Sequence, residues 1–200
     1  MLDCQTQTSS IFPVTVICAI FLFFIKEAVE LSKRAAERKR KISAYKTLIA
    51  EELKKNAWTI QTMKEKCSEI NKDDFERMTY SKEPSGNETV QIWFSGGTVG
   101  SSLLWQVHTG IFDKSIVDLA VIDKGLFDAA KETYQHLAEV RHIRGYFSDL
   151  TEQDSMRGFI KGFADYGLST LDEASNSLSA LYFKCTGEVL DEHKLRSYLP

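Results

Sequence analysis

The residue types that could carry out chemistry are present in this sequence, but their spacing forms no catalytic or metal-binding motif. Four histidines and four cysteines occur, at His108, His136, His142, His193, Cys4, Cys18, Cys67 and Cys185. Neither H-E-x-x-H nor C-x-x-C is found among them, and no serine lies in G-x-S-x-G. We therefore expect no cofactor, no metal site and no enzymatic activity.

A single glycine-rich stretch, residues 95–102 (SGGTVGSS), could bind a phosphate if it preceded a helix. It lacks the lysine of a P-loop and does not match G-x-G-x-x-G. The favoured interpretation is a tight turn in which Ser101 or Ser102 caps a short helix. A nucleotide-binding loop remains the alternative.

An apolar run at residues 11–25 (IFPVTVICAIFLFFI) dominates the rest of the chain. No charge occurs between Asp3 and Lys26, and this stretch would reach ~33 Å as a helix, against a hydrocarbon core of about 30 Å. The run therefore predicts a transmembrane helix after an extracytoplasmic tail at residues 1–10; a signal-like segment and a buried helix are the alternatives. The predicted membrane-span residues are Ile11, Phe12, Val16, Ile20, Phe21, Phe24 and Ile25.

A basic collar follows the run directly. Its members, expected to lie among lipid headgroups, are Lys26, Lys33, Arg34, Arg38, Lys39, Arg40 and Lys41. Positive charge on one side of a span marks the cytoplasmic side, which predicts a single-pass protein of the bacterial inner membrane with its N-terminus outside. Residues 47–200 carry a net charge of −7, which argues against nucleic acid as a partner.

Residues 26–72 contain neither glycine nor proline and predict a stalk helix that continues the span. Apolar positions in its second half alternate by four and three residues, which is typical of a coiled coil. This predicted oligomer seam consists of Ile49, Leu53, Asn56, Ile60, Met63, Cys67 and Ile70. The favoured alternative is that the seam packs on later helices of the same chain and that Asn56 bonds a neighbouring backbone group.

The remainder predicts an all-α fold. Residues 73–100 are expected to form a loop with one short extended segment at 89–94, because no second convincing strand is apparent. Residues 101–200 are expected to form a helical domain that packs on the stalk, with helices at 102–108, 114–122, 124–147 and 152–184. A capping box at residues 151–154 begins the last of these.

Three functions are compatible with this layout. The first is a non-enzymatic membrane adaptor that binds the lipid bilayer and either a protein partner or further copies of itself. The second is a membrane effector of a phage-defence or toxin-like system, which perturbs the bilayer when triggered. The third is a membrane-tethered nucleotide-binding protein or enzyme that uses residues 95–102.

Overall fold

The computed structural model describes residues 14–149 and 157–190, which form four α-helices and one antiparallel sheet of three strands. In chain order the elements are α1 (Val14–Ile70), β1 (Phe75–Lys82), β2 (Glu88–Phe94), β3 (Val99–Leu103), α2 (Gly110–Ile122), α3 (Lys124–Asp149) and α4 (Arg157–Thr186). The chain divides into two compact units, Met1–Lys41 and Ile42–Pro200. They are described separately below.

The predicted all-α fold is wrong, because the segment expected to be a loop forms most of a sheet in the order β1-β2-β3. The extended segment at 89–94 is β2, and it is paired on both sides. Its first partner, β1, is hard to recognise in the sequence because the register shifts between Phe75 and Arg77. Such a bulge interrupts the alternation of apolar and polar residues by which a strand is identified.

The glycine-rich stretch is the turn between β2 and β3. Gly96 and Gly97 have φ angles of +104° and +85°, which residues with a Cβ rarely adopt. The Phe94 N–H donates to the Thr98 carbonyl at 2.9 Å and closes the turn. The tight turn is therefore confirmed, but Ser101 and Ser102 lie in β3 and cap no helix, and the predicted helix at 102–108 is wrong.

The later helices agree better with the sequence. The helix predicted at 124–147 is confirmed as α3, whereas α2 begins at Gly110, four residues before the predicted start. The long last helix is confirmed as α4, described from Arg157. The predicted capping box at 151–154 lies outside the described residues.

The core of the second unit is built around residues 42–70 of α1. Buried side chains from this segment meet the inner face of the sheet and the apolar sides of α2, α3 and α4 in one cluster. On the sheet, Val90, Ile92 and Phe94 alternate along β2 and are buried. Because one helix supplies the surface that every other element covers, the unit has a single continuous core.

Helix α4 lies close to α1 at Gly167. A Cβ placed on this glycine would lie 3.0 Å from the Cys67 Sγ, which is too close without a shift. Burial raises the pKa of the Cys67 thiol to about 12, as expected for a sulfur enclosed between two helices. By contrast, Gly162 of the same helix has open space beside it.

The predicted transmembrane helix is not supported. Ile11 and Phe12 lie outside the described residues, and the described part of α1 carries twelve uncharged residues, from Val14 to Ile25, before Lys26. Twelve helical residues reach about 18 Å, against a hydrocarbon core of about 30 Å. No helix within residues 14–149 and 157–190 is long and apolar enough to cross a membrane. The prediction of a single-pass inner-membrane protein, as adaptor or as effector, is therefore wrong.

The close approach at Gly167 gives the first prediction. Replacing Gly167 with Ala should lower the free energy of unfolding by about 1–3 kcal/mol, because the new methyl group overpacks the contact with Cys67. The matched change Gly162→Ala should raise it by about 0.5–1 kcal/mol, since alanine favours a helix and the site is open. Denaturant unfolding of both variants measures the difference. Equal stability of the two variants would show that α1 and α4 are not in close contact at Gly167.

Candidate interaction surfaces

The connection between β3 and α2, residues 104–109, has no regular secondary structure, yet side chains of α1 and α3 hold its backbone along its length. We call it the connector. Asn56 of α1 is fully buried and makes two hydrogen bonds to one residue of the connector. Its amide nitrogen donates to the His108 carbonyl at 2.7 Å, and its amide oxygen accepts the His108 N–H at 2.8 Å. The Asn56 amide and the His108 backbone thus exchange two hydrogen bonds, as two opposite residues do in an antiparallel sheet.

Two further polar residues of α1 extend this contact in both directions. One turn later, the Thr59 hydroxyl donates to the Gln106 carbonyl at 3.1 Å. One turn earlier, the Glu52 carboxylate accepts the backbone N–H groups of Ile111 and Phe112 at 2.7 and 3.3 Å. Glu52 thereby satisfies donors that are otherwise free at the start of a helix. We call Glu52, Asn56 and Thr59 the polar row of α1.

Tyr134 of α3 completes the surroundings of Glu52. Its hydroxyl donates to the Glu52 carboxylate at 2.5 Å, and its ring stacks on Phe112 with 4.0 Å between the centroids. Burial, and then the hydrogen bond to Glu52, raise the pKa of Tyr134 above its ordinary value, so the hydroxyl keeps its proton and acts as a donor. The buried carboxylate has three donors and is fully engaged in structural contacts.

Arg144 of α3 holds the other end of the connector. Its guanidinium donates to the Trp105 carbonyl at 2.9 Å and to the Leu104 carbonyl at 3.2 Å, and it pairs with Glu88 of β2. Lys82 of β1 also pairs with Glu88, at 3.1 Å. Burial acts to raise the pKa of Glu88, but the hydrogen bonds from Lys82 and Arg144 outweigh it, and the pKa lies below its ordinary value. Glu88 therefore ties the sheet to α3.

Of the polar side chains in these contacts, the sequence pattern had singled out only Asn56. Glu52, Thr59 and Arg144 escaped the sequence analysis, although a polar residue within an apolar helix face is the signal that identified Asn56. Within the residues that the structure describes, no three metal-ligating side chains come together. His108 contributes its backbone to the connector, and desolvation, followed by the charge of Lys55, lowers the pKa of its ring.

The predicted oligomer seam is buried in the core of its own chain. Its exposures are 0–2%, for Ile49, Leu53, Asn56, Ile60, Met63, Cys67 and Ile70. Asn56 bonds the His108 backbone, as the favoured alternative expected. The seam therefore offers no free surface to a second copy.

From Val16 onward, the residues predicted to span a membrane or to lie beside it belong to the first unit and are exposed along α1. Within the described part, the exposed apolar side chains are Val16, Ile17, Ile20, Phe21, Leu22, Phe23, Phe24 and Ile25, at 40–66%. The basic collar from Lys26 to Lys41 is exposed as well. The headgroup role predicted for it depended on the neighbouring span.

Helix α1 also has an apolar face that runs through both sets of residues, a feature that the sequence analysis missed. Apolar or small residues recur in adjacent pairs at spacings of four and three, and all of them lie on one side at about 100° per residue. We call them the apolar face: Ile17, Cys18, Phe21, Leu22, Phe24, Ile25, Ala28, Val29, Leu31, Ser32, Ala35 and Ala36. From Lys26 onward the opposite side carries three basic and three acidic residues, namely Lys26, Glu27, Glu30, Lys33, Arg34 and Glu37, whereas before Lys26 it carries the apolar Val16, Ile20 and Phe23.

Two further surfaces of the second unit are left uncovered by the residues that the structure describes. The first is the outward edge of β3. The second is a cleft of about 410 Å³ between α3 and α4, lined by His142, Tyr146, Phe159, Gly162, Phe163 and Tyr166. The Tyr146 and Phe163 rings lie 5.3 Å apart within the cleft, and Phe159 and Tyr166 are about half exposed at its rim.

The polar row gives the second prediction. Replacing Asn56 with Leu should lower the free energy of unfolding by ~2–4 kcal/mol, because the His108 N–H and carbonyl both lose their partner at ~1–3 kcal/mol each. Hydrogen exchange at the His108 amide should become faster. The matched change Asn71→Leu, which removes an exposed bond to Asp165, should cost less than about 1 kcal/mol and leave this amide protected. Unchanged protection of His108 in Asn56→Leu would contradict the role given to Asn56.

The Glu88 contacts give the third prediction, on pH. Because the pKa of Glu88 is lower in the folded state, its carboxylate stabilises the fold at a pH above the ordinary glutamate pKa of about 4.3. This contribution is lost as the pH falls through the pKa of the folded state. At neutral pH, Glu88→Gln should therefore cost about 1–3 kcal/mol. The difference from the wild-type chain should shrink as unfolding is measured at successively lower pH below about 4.3. A difference that is constant with pH would exclude the ion pairs as its cause.

Comparisons with known proteins identify no relative. No protein-family model, no curated protein and no solved structure matches the chain. What the protein does must therefore follow from its own contacts and exposed surfaces.

Proposed function

We propose that this protein is a non-enzymatic, self-associating protein whose copies join through the apolar face of α1. The observation that supports this most directly is the exposure of large apolar side chains on one helix, with Phe21 at 66% and Leu22 at 65%. Each such side chain gains about 1.5–3 kcal/mol when it leaves water. A contiguous surface of this kind is typical of a protein interface.

A second copy of the same helix is the occupant that fits best. Spacings of four and three residues place the apolar face along a seam between two helices, as in a coiled coil. Ala28 and Ala35 are small and let two helix backbones approach closely. The charged side of the same segment has equal numbers of basic and acidic residues, so it stays in water without net repulsion. The run of four basic residues from Arg38 to Lys41 limits the seam.

The second unit supports the non-enzymatic part of the proposal. Its buried polar side chains are engaged with backbone groups: Glu52 holds the start of α2, and Asn56 holds His108. These contacts leave the carboxylate and the amide without a position from which to act on a substrate.

Two phenylalanines on opposite sides of α1 test this proposal. Phe21 lies in the centre of the apolar face, and Phe23 lies about 160° away, outside that face. Phe21→Glu should lower the mass of the full chain in solution, because it places a charge in the seam, whereas Phe23→Glu should leave the mass unchanged. Size-exclusion chromatography with light scattering measures both. Equal masses for the two variants would refute association through this face.

Cys18 provides a second readout, since it is exposed and belongs to the apolar face. In a Cys4→Ser chain, oxidation with diamide should join two copies through Cys18 if the faces meet. Burial raises the pKa of Cys67 to about 12 and that of Cys185 to about 11, so these thiols should react slowly at neutral pH. The additional change Phe21→Glu should abolish the cross-linked dimer.

A further inference from the structure

We propose that strand β3 pairs antiparallel with β3 of a second copy through its outward edge, as an interface separate from the apolar face of α1. The two surfaces belong to different units of the chain, and different observations support them. For α1 the support is apolar exposure. For β3 it is a set of backbone groups directed away from the sheet.

The hydrogen bonds of the sheet show which backbone groups these are. The Thr98 carbonyl accepts from Phe94, and the Leu104 N–H donates to the Glu88 carbonyl, so both residues direct their backbone toward β2. Backbone groups alternate in direction along a strand. Val99, Ser101 and Leu103 therefore direct their N–H and C=O groups away from β2. Within residues 14–149 and 157–190, no backbone bond to these outward groups is found.

The two edges of the sheet differ in the features that prevent pairing. At the other edge, β1 contains a bulge between Phe75 and Arg77 and carries Glu76, Arg77 and Lys82. Bulges and charges are the usual means by which an edge strand is protected from a second chain. β3 (VGSSL) has no charge, no proline and no bulge. An unprotected edge beside a protected one indicates that β3 is the edge that pairs.

The sequence of β3 is complementary to itself, which favours a second copy over an unrelated peptide. With Ser101 on a two-fold axis, Ser101 faces Ser101 of the second copy, and the two exchange both backbone bonds. Val99 then faces Leu103 of the second copy, and Leu103 faces Val99 of the second copy. Both are 38% exposed and lie on the same outer face of the sheet, opposite Trp93 and Thr89 of β2. The register thus forms two apolar cross-strand pairs and opposes no like charges.

A substitution that removes one outward donor and leaves the pairing with β2 intact tests this interface. Ser101→Pro removes the N–H that points away from β2, and proline is tolerated at such edge positions. Ser101→Ala is the matched control, because it keeps the N–H. Both are made in the Phe21→Glu chain, so that association through α1 does not contribute to the measured mass.

Light scattering across a concentration series measures the mass of each variant. We expect a dimer for Phe21→Glu alone and for Phe21→Glu combined with Ser101→Ala. We expect a monomer for Phe21→Glu combined with Ser101→Pro. A Phe21→Glu chain that is monomeric throughout would overturn the β3 interface and leave the α1 proposal standing. A combination with Ser101→Pro that stays dimeric would overturn it as well. If Ser101→Pro unfolds, hydrogen exchange in the Phe21→Glu chain decides. Protection of the Val99, Ser101 and Leu103 amides must then rise with protein concentration, and protection independent of concentration would refute the pairing.

Discussion

The second unit depends on one constraint, which is that the polar row of α1 must supply hydrogen-bond partners to the backbone of the connector. Asn56 is fully buried and can lie there only because His108 supplies one donor and one acceptor to its amide. The same segment would leave its own backbone groups unpaired in the core without Asn56 and Thr59. Each partner therefore removes the desolvation cost of the other, and neither could be buried alone.

This constraint determines where the neighbouring elements lie. The connector leaves β3 and ends at α2, so fixing it against α1 sets the distance between the sheet and the helices. Glu52 then positions the first turn of α2, and its bond to Tyr134 brings α3 to the same point. Arg144 of α3 donates a hydrogen bond to the start of the connector and pairs with Glu88 of the sheet. A closed circuit of polar contacts thus links α1, α2, α3 and the sheet.

The two units are stabilised in different ways. The second has a continuous apolar core around residues 42–70 of α1, and its polar groups are directed inward to backbone partners. The first unit has no core of its own within its described residues, and its apolar face is open. A helix of this kind gains most of its stability from packing rather than from intrinsic propensity.

Local patterns in the chain were sufficient for some of these features. The helix α3 follows from its apolar periodicity, the turn at Gly96 and Gly97 from the glycines that it requires, and the unusual character of Asn56 from its place on an apolar face. The sheet could not be found in this way, because the bulge in β1 breaks its alternation and β3 has small residues without a strong strand preference. A strand of this kind exists only because β2 lies beside it.

The contacts between distant parts of the chain decided the rest. Two segments of α1 have apolar residues at spacings of four and three. The spacing alone does not show which of the two segments is buried by other parts of the chain. Packing buried Ile49 to Ile70 inside the chain and left Ile17 to Ala36 in the open. Glu52 and Arg144 look like ordinary surface charges until the backbone that they bind is brought to them from 59 and 39 residues away. Periodicity reports that a face is apolar, and only the folded chain determines what covers it.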